Sequence, residues 1–177
     1  KDDPGLIYDR IKWRRKRGRY DSASELLEKD NLDSVRPDLW WRERRILARE
    51  ALKDGNISEA YRIASDHNAT DSLSIFEADW LAGWIQLQFL RDPEAALPHF
   101  YAVYEAVEFP VSLSRGAYWA GRALEAAGNM DLARTWYGKA AVYVTTYYGQ
   151  LALAKLPQGA LPQLPLDPIP SITERNA

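Results

Sequence analysis

The sequence has 177 residues, of which 46% are hydrophobic and 27% are charged, and its formal net charge is −2. This is the composition of an ordinary folded protein, and so small a net charge does not indicate a polyanionic partner. The absence of cysteine excludes a disulfide framework and thiolate metal sites. No apolar run approaches the roughly 18 residues that a membrane span requires, so no transmembrane segment is predicted.

Proline and capping residues divide the chain into a regular series of predicted helices. Pro37 suits a first helical position, where its missing N–H has no helical partner to lose. Helix N-caps are predicted at Asp71 or Ser72 and at Thr145 or Thr146. Strand signals are absent, and the predicted helices are 5–17, 21–29, 37–53, 57–66, 72–90, 93–106, 112–127, 131–143 and 147–156.

An alanine recurs at the centre of a repeat, with spacings of 37, 36 and 37 residues, at Ala23, Ala60, Ala96 and Ala133. Five positions before each alanine stand Gly18, Gly55, Arg91 and Gly128. Glycine is typical of a helix that ends in a left-handed residue. A period of this length predicts an all-α fold, a right-handed α-solenoid of about four helix–turn–helix repeats similar to a tetratricopeptide superhelix, over residues 1–156.

The clearest hairpin of this repeat lies in residues 115–150. One predicted helix carries small residues at helical spacing, at Ala117, Ala120, Gly121 and Leu124. The next helix places larger residues on one side, at Leu132, Ala133, Trp136, Tyr137 and Ala140. A small surface facing a large one is typical of two helices that pack closely.

The end of the chain differs in composition from the repeats. Five of the fourteen residues from Pro157 to Pro170 are proline, which does not continue a helix. Residues 157–177 are therefore predicted to be an extended linker toward a further domain. The chain opens with Lys1, without an initiator methionine or an apolar leader, and we expect it to be a processed or excised piece.

The segment Arg10–Arg19 holds seven basic residues in ten, with Trp13 among them. One interpretation is a polyanion-binding patch with an aromatic side chain for stacking. The other is a solvated helix face from which Ile7, Ile11 and Trp13 point inward. The second is favoured, because no further basic element follows and the chain is slightly acidic.

The ionisable residues show no catalytic or metal-binding pattern. His67 and His99 are the only histidines, and neither lies in a metal-binding motif. Glu77 and Asp79 adjoin aromatic residues, but nothing in their spacing marks either as an acid or a base. The sequence therefore predicts no catalytic residue, no metal and no cofactor.

Aromatic residues recur along the predicted helices, at Trp40, Trp41, Trp80, Trp84, Trp119, Trp136, Tyr147 and Tyr148. Such a stripe can stack on sugar rings, but in a solenoid it is more often the core between hairpins. Arg122 follows Trp119 by one turn, and is predicted to pack over an aromatic face or to pair with a carboxylate.

Four segments resemble the superhelical region of the soluble lytic murein transglycosylases. They are ADWLAGWIQLQFL (78–90), ALPHF (96–100), SRGAYWAGRALEAAGN (114–129) and TTYYGQLA (145–152), and IYDRIKWRRKRGRYDSASELL (7–27) is similar to the part upstream. The resemblance covers approximately residues 5–156. The combination of YWAGRA with TTYYGQLA about 25 residues later is its most specific part.

The resemblance implies a non-catalytic superhelical domain of a periplasmic cell-wall lyase. Enzymes of that family cleave the β-1,4 bond between N-acetylmuramic acid and N-acetylglucosamine in peptidoglycan and leave a 1,6-anhydro product. Their catalytic glutamate belongs to a lysozyme-like domain that follows the helical region. The nearest similar context here, Thr173-Glu174, lies in the proline-rich tail without lysozyme-like sequence around it, so the catalytic role is assigned to no residue of this chain.

The partners implied by the resemblance are peptidoglycan glycan strands and the catalytic domain of the same polypeptide. The candidate glycan-contact residues are Trp119, Arg122, Tyr147, Tyr148 and Gln150. The alternative is a free-standing tetratricopeptide-like adaptor that binds a protein segment in its groove. A third interpretation, nucleic-acid binding through Arg10–Arg19, is the least favoured, and no nucleic-acid partner is predicted.

Overall fold

A computed structural model of the chain describes residues 3–28 and 36–157. These residues form nine α-helices and no strand. The helices are α1 (Pro4–Arg15), α2 (Tyr20–Ser24), α3 (Pro37–Lys53), α4 (Ile57–Ser65), α5 (Ser72–Ile85), α6 (Pro93–Glu105), α7 (Pro110–Ala126), α8 (Met130–Ala141) and α9 (Tyr147–Leu153). A 3₁₀ turn, Glu25–Glu28, follows α2, and a π-helical turn, Gln86–Leu90, continues α5.

The helices pack mainly against their neighbours in the chain. From α3 onward each helix contacts the next one. Further contacts join helices that are two apart in the chain, namely α1 with α3, α3 with α5 and α7 with α9. A stack in which contacts stay close in sequence is the architecture of an α-solenoid. The predicted all-α, solenoid-like fold is confirmed, while the right-handed sense of the superhelix stays a prediction.

The repeat positions have the structural roles that their spacing predicts. The four central alanines, Ala23, Ala60, Ala96 and Ala133, are each completely buried. The four positions that precede them have positive φ angles, 69° at Gly18, 82° at Gly55, 56° at Arg91 and 81° at Gly128. Each repeat therefore turns from one helix to the next through a left-handed residue.

The α7–α8 hairpin closes through a small residue under a large ring. A Cβ built on Gly121 would lie 2.7 Å from the Tyr137 ring, so only glycine leaves room for this contact. Trp136 packs against the core clusters that contain Ala117 and Ala120 of α7, and its ring also stacks on Tyr101 of α6 with centroids 4.8 Å apart. Leu132 is 47% exposed, so its predicted place in the hairpin contact is wrong.

Two contacts join the most specific sequence segments, YWAGRA and TTYYGQLA. One is a buried hydrogen bond to Ser114, just upstream of YWAGRA, and the other is a contact between aromatic rings. Thr146 caps α9 by accepting a hydrogen bond from the Gly149 N–H, and its Oγ1 lies 2.9 Å from Ser114 Oγ of α7. The rings of Tyr118 and Tyr148 meet with centroids 5.4 Å apart. The two segments are therefore packing partners in space.

Several predicted helix boundaries need correction. The first helix ends at Arg15 and the second changes to a 3₁₀ turn at Glu25. The helix predicted over 112–127 begins instead at Pro110, whose ring suits the helical φ of a first residue, and ends at Ala126. The predicted caps are resolved in favour of Asp71 and Thr146, whose side chains accept backbone N–H groups.

The basic segment also departs from its favoured interpretation. Ile7 and Ile11 are buried as expected, but Trp13 is 47% exposed. Two residues after Ile11 the α-helix has turned by roughly half a revolution, so Trp13 faces the other way. The predicted inward orientation of Trp13 is wrong.

The predicted linker lies outside the described residues, apart from Pro157. In the described part of the chain no helix is both long enough and apolar enough to cross a membrane, in agreement with the sequence prediction.

Candidate functional site

Trp119 lies at the centre of an aromatic assembly between three helices. Its ring stacks on Phe100 of α6 with centroids 5.9 Å apart. The rings of Trp80 of α5 and Tyr118 of α7 meet it edge-on, at 6.1 and 5.8 Å. We call Trp80, Tyr118, Trp119 and Tyr148, with Arg115 and Arg122, the aromatic–arginine cluster.

Two arginines of α7 lie against these rings. The guanidinium carbon of Arg115 is 3.8 Å from the centre of the Trp80 ring and 6.0 Å from that of Tyr148. Such short distances are typical of cation–π contacts, which Arg makes more often than Lys. The cluster therefore presents positive charge beside aromatic faces.

Arg122 behaves as the sequence predicts. Its guanidinium carbon lies 5.9 Å from the centre of the Trp119 ring, and its Nη1 donates to the Tyr118 hydroxyl over 3.2 Å. Its Nε is also 3.6 Å from Glu125 Oε2. Both predicted roles, packing on a ring and pairing with a carboxylate, are confirmed.

Three hydrogen-bond donors of the cluster have no partner among the described residues. They are the Nε of Arg115 and the indole Nε1 atoms of Trp80 and Trp119, and all three atoms are buried. Burial lowers the pKa of Arg115, and nearby Tyr148 and Glu77 oppose this effect. Because the fold covers these three donors, the part of the assembly open to a ligand is the exposed Tyr147 ring beside Tyr148.

The predicted residues of α9 extend the cluster outward. Tyr148 contacts Tyr118, and its ring also meets that of Tyr147 edge-on at 5.1 Å. Tyr147 is 71% exposed. Gln150 is exposed and follows Tyr147 by one turn, so the two share one side of the short helix.

The structure thus places four of the five predicted residues in one series of contacts. Arg122 contacts Trp119, and Tyr148 contacts Tyr147. Tyr118 links the two pairs, because its ring contacts both Trp119 and Tyr148. Gln150 adjoins that series on the same helix as Tyr147 and Tyr148. Contact of these residues with a glycan stays a prediction. Sequence reasoning missed Arg115, Trp80 and Tyr118 as members of the cluster, although Trp80 stands in the recognised aromatic stripe.

A second polar assembly was not anticipated from the sequence. The chain's two histidines meet on one carboxylate, with His99 Nδ1 2.7 Å from Asp79 Oδ1 and His67 Nε2 3.3 Å from Asp79 Oδ2. The Tyr61 hydroxyl lies 3.2 Å from the other nitrogen of His99. We call these four residues the Asp79 network. Asp79 is 9% exposed.

Burial acts to raise the pKa of Asp79, but hydrogen bonds from His67 and His99 outweigh it, so the pKa lies below its usual value. A carboxylate that stays ionised and satisfied in this way has a structural role. Within the described ranges, no group of three or more acidic or histidine side chains has an arrangement suited to a metal ion.

Comparisons with family models, with curated proteins and with solved structures find no match to this chain.

Proposed function

We propose that this chain is a non-catalytic superhelical scaffold of a peptidoglycan lytic transglycosylase. The parent enzyme would cleave bonds between N-acetylmuramic acid and N-acetylglucosamine, and a separate catalytic domain of the same polypeptide would supply the glutamate. The scaffold would position that domain and guide glycan strands. The periplasm is the compartment that this proposal requires.

One observation carries the proposal. The two segments most specific to the family resemblance, YWAGRA in α7 and TTYYGQLA at α9, supply every residue of the aromatic–arginine cluster except Trp80 and Arg115. Aromatic rings suit the C–H faces of sugars, and the exposed Tyr147, in contact with Tyr148 of the cluster, offers such a ring to solvent. The resemblance and the chemistry of the cluster thus favour the same ligand class.

Sedimentation of the purified chain with isolated peptidoglycan sacculi tests this proposal. We expect weak co-sedimentation and no release of 1,6-anhydro products, because the chain supplies binding groups without the catalytic glutamate. The substitution Tyr147→Ala should reduce the bound fraction about fivefold, the factor that corresponds to one aromatic contact of about 1 kcal/mol. Tyr147 is exposed, so the variant should fold normally.

Leu132→Ala is the matched control, since Leu132 is an exposed apolar residue of α8 and should leave sacculus binding unchanged. Release of anhydro products by the 177-residue chain alone would contradict the proposed non-catalytic role. An equal loss of binding in both variants would contradict the assignment of Tyr147 and the adjoining cluster as the glycan surface.

A groove at the start of α5 and α7 favours a second candidate function, that of a protein-binding adaptor. Its cavity of about 590 Å³ is lined by apolar residues that include Leu73, Phe76 and Phe109, with Glu105 and Glu108 beside them. Phe109 is 77% exposed and Leu73 is 67% exposed. Such a groove suits an apolar peptide that carries a cation. Selection of such peptides from a displayed library, lost in Phe109→Ser but kept in Tyr147→Ala, would favour this function.

A further inference from the structure

The outward face of α1 combines positive charge with exposed apolar side chains. Of the seven basic residues in Arg10–Arg19, two are engaged within the fold. Arg15 Nε lies 2.5 Å from Oε2 of the buried Glu43, and Arg14 donates to the Ser22 carbonyl. The other five are exposed, namely Arg10, Lys12, Lys16, Arg17 and Arg19.

Two large apolar residues lie among these cations. Leu6 is 46% exposed and Trp13 is 47% exposed, on the side of α1 away from the buried Ile7 and Ile11. Leu6 and Trp13 are seven positions apart in the sequence, about two helical turns, so their side chains share one face. We call Leu6 and Trp13, with the exposed cations Arg10 and Lys12 of α1 and Lys16, Arg17 and Arg19 of the turn that follows it, the α1 face.

Trp13 is held at the surface by its basic neighbours. The guanidinium carbon of Arg17 lies 4.0 Å from the centre of the Trp13 ring, and that of Arg19 lies 5.5 Å away. Asp9 is the one exposed acid within α1 itself. The face therefore keeps a strong positive excess, although the whole chain carries a net charge of −2.

We propose that the α1 face docks on an anionic phospholipid surface. In that arrangement the cations contact the lipid phosphates while Leu6 and Trp13 enter the boundary between headgroups and acyl chains. The exposed leucine favours a lipid surface over a nucleic acid, because an aliphatic side chain has no counterpart in a phosphate backbone. This inference is independent of the proposed glycan function, since α1 contributes nothing to the aromatic–arginine cluster.

Sedimentation with lipid vesicles tests the proposal directly. The 177-residue chain should bind vesicles rich in phosphatidylglycerol and should not bind vesicles of phosphatidylcholine alone. Binding should weaken as salt is raised, because salt screens exposed charges. The double variant Lys12→Gln/Lys16→Gln should weaken binding about 25-fold, or about fivefold for each cation removed.

Two further variants separate lipid docking from simple attraction between charges. Leu6→Ser and Trp13→Ser leave the charge unchanged and alter exposed side chains, so each should fold and yet bind phosphatidylglycerol vesicles several-fold more weakly. Lys53→Gln/Arg134→Gln is the charge-matched control, because both cations are exposed on other helices, and it should bind like the unmodified chain.

The proposal is overturned if the chain does not bind phosphatidylglycerol vesicles, or if the control loses as much binding as Lys12→Gln/Lys16→Gln. It is also overturned if the two serine variants bind lipid normally while the chain binds duplex DNA equally well. That outcome would identify a general polyanion surface.

Discussion

Gly149 illustrates how one residue without a side chain allows α9 to form. A Cβ at this position would lie 2.0 Å from the carbonyl oxygen of Tyr143 and 2.9 Å from Thr146 Oγ1. The first of these atoms belongs to the backbone and cannot rotate away. Gly149 is therefore required by close approach, although its neighbours in the motif suggest only a helix.

We expect Gly149→Ala to lower the free energy of unfolding by about 3 kcal/mol, because the added methyl group displaces the chain that enters α9. Gly138→Ala provides the matched control. Gly138 lies inside α8 with nothing within 4 Å of the built Cβ, so alanine should stabilise the helix by about 1 kcal/mol. Urea unfolding of both variants measures the difference. Similar effects in the two variants would show that α9 tolerates a side chain at position 149.

At the scale of single residues, the sequence predicts roles best where the partner is on the same helix. Arg122 packs over Trp119 and pairs with Glu125, and all three belong to α7. Trp13 was assigned to the wrong side because an aromatic side chain was assumed to be inward. Its position relative to Ile11 in the helical turn contradicts that assumption.

At the scale of helices and turns, the recurring feature is the left-handed residue five positions before each central alanine. Three of the four positions are glycine, and Arg91 is the exception, with φ of 56° and ψ of 35°. A residue with a Cβ is strained in this conformation by about 1 kcal/mol. The π-helical turn Gln86–Leu90 comes directly before it, and the N–H of Arg91 donates to the Gln86 carbonyl.

We predict that Arg91→Gly raises the free energy of unfolding by about 1 kcal/mol, because glycine removes this strain. The reverse change, Gly55→Ala, should lower it by about the same amount. No atom lies within 4 Å of a Cβ built on Gly55, so backbone strain is the whole expected effect. Thermal unfolding of both variants tests the pair. A destabilised Arg91→Gly protein would indicate that the exposed arginine side chain has a stabilising role of its own.

At the scale of the whole molecule, the Asp79 network joins parts of successive repeats. Tyr61 belongs to α4, His67 to the turn after it, Asp79 to α5 and His99 to α6. Because the pKa of Asp79 is lowered in the folded chain, its contribution to stability is present above the unfolded-state pKa of about 3.9. That contribution is lost as the pH falls through the lowered pKa.

Asp79→Asn should therefore lower the free energy of unfolding by roughly 2 kcal/mol near pH 7, since it removes a buried charged acceptor from two hydrogen bonds. The difference between the two proteins should shrink as the pH falls below about 3.9, because the unfolded chain then takes up a proton on Asp79 while the lowered pKa keeps the folded carboxylate ionised. Urea unfolding at pH 7 and at pH 3 measures both values. A difference that stays the same at the two pH values would show that the charge of Asp79 is not what stabilises this junction.

Part of the candidate site was predicted from the sequence, and the rest depends on contacts between distant parts of the chain. Tyr147, Tyr148 and Gln150 were grouped with Trp119 because their segments resemble one family region, and the structure joins these segments through Tyr118 and Tyr148. Arg115 was missed because it contacts Trp80, which lies 35 positions earlier in the chain. No periodicity within α7 indicates a partner on α5.

The sequence by itself determined the local order of this protein. The central alanines, the left-handed helix ends and the caps at Asp71 and Thr146 follow from properties of single residues and from helical spacing, which act over a few residues. Only the tertiary structure decided which distant side chains meet. It brought His67 and His99 onto Asp79, paired Arg15 with the buried Glu43, and left Trp13 exposed on α1. These contacts depend on the angle between packed helices and on their offset along the helix axis. Both quantities are determined by how the side-chain ridges of one helix fit the grooves of the next, which involves many residues at once.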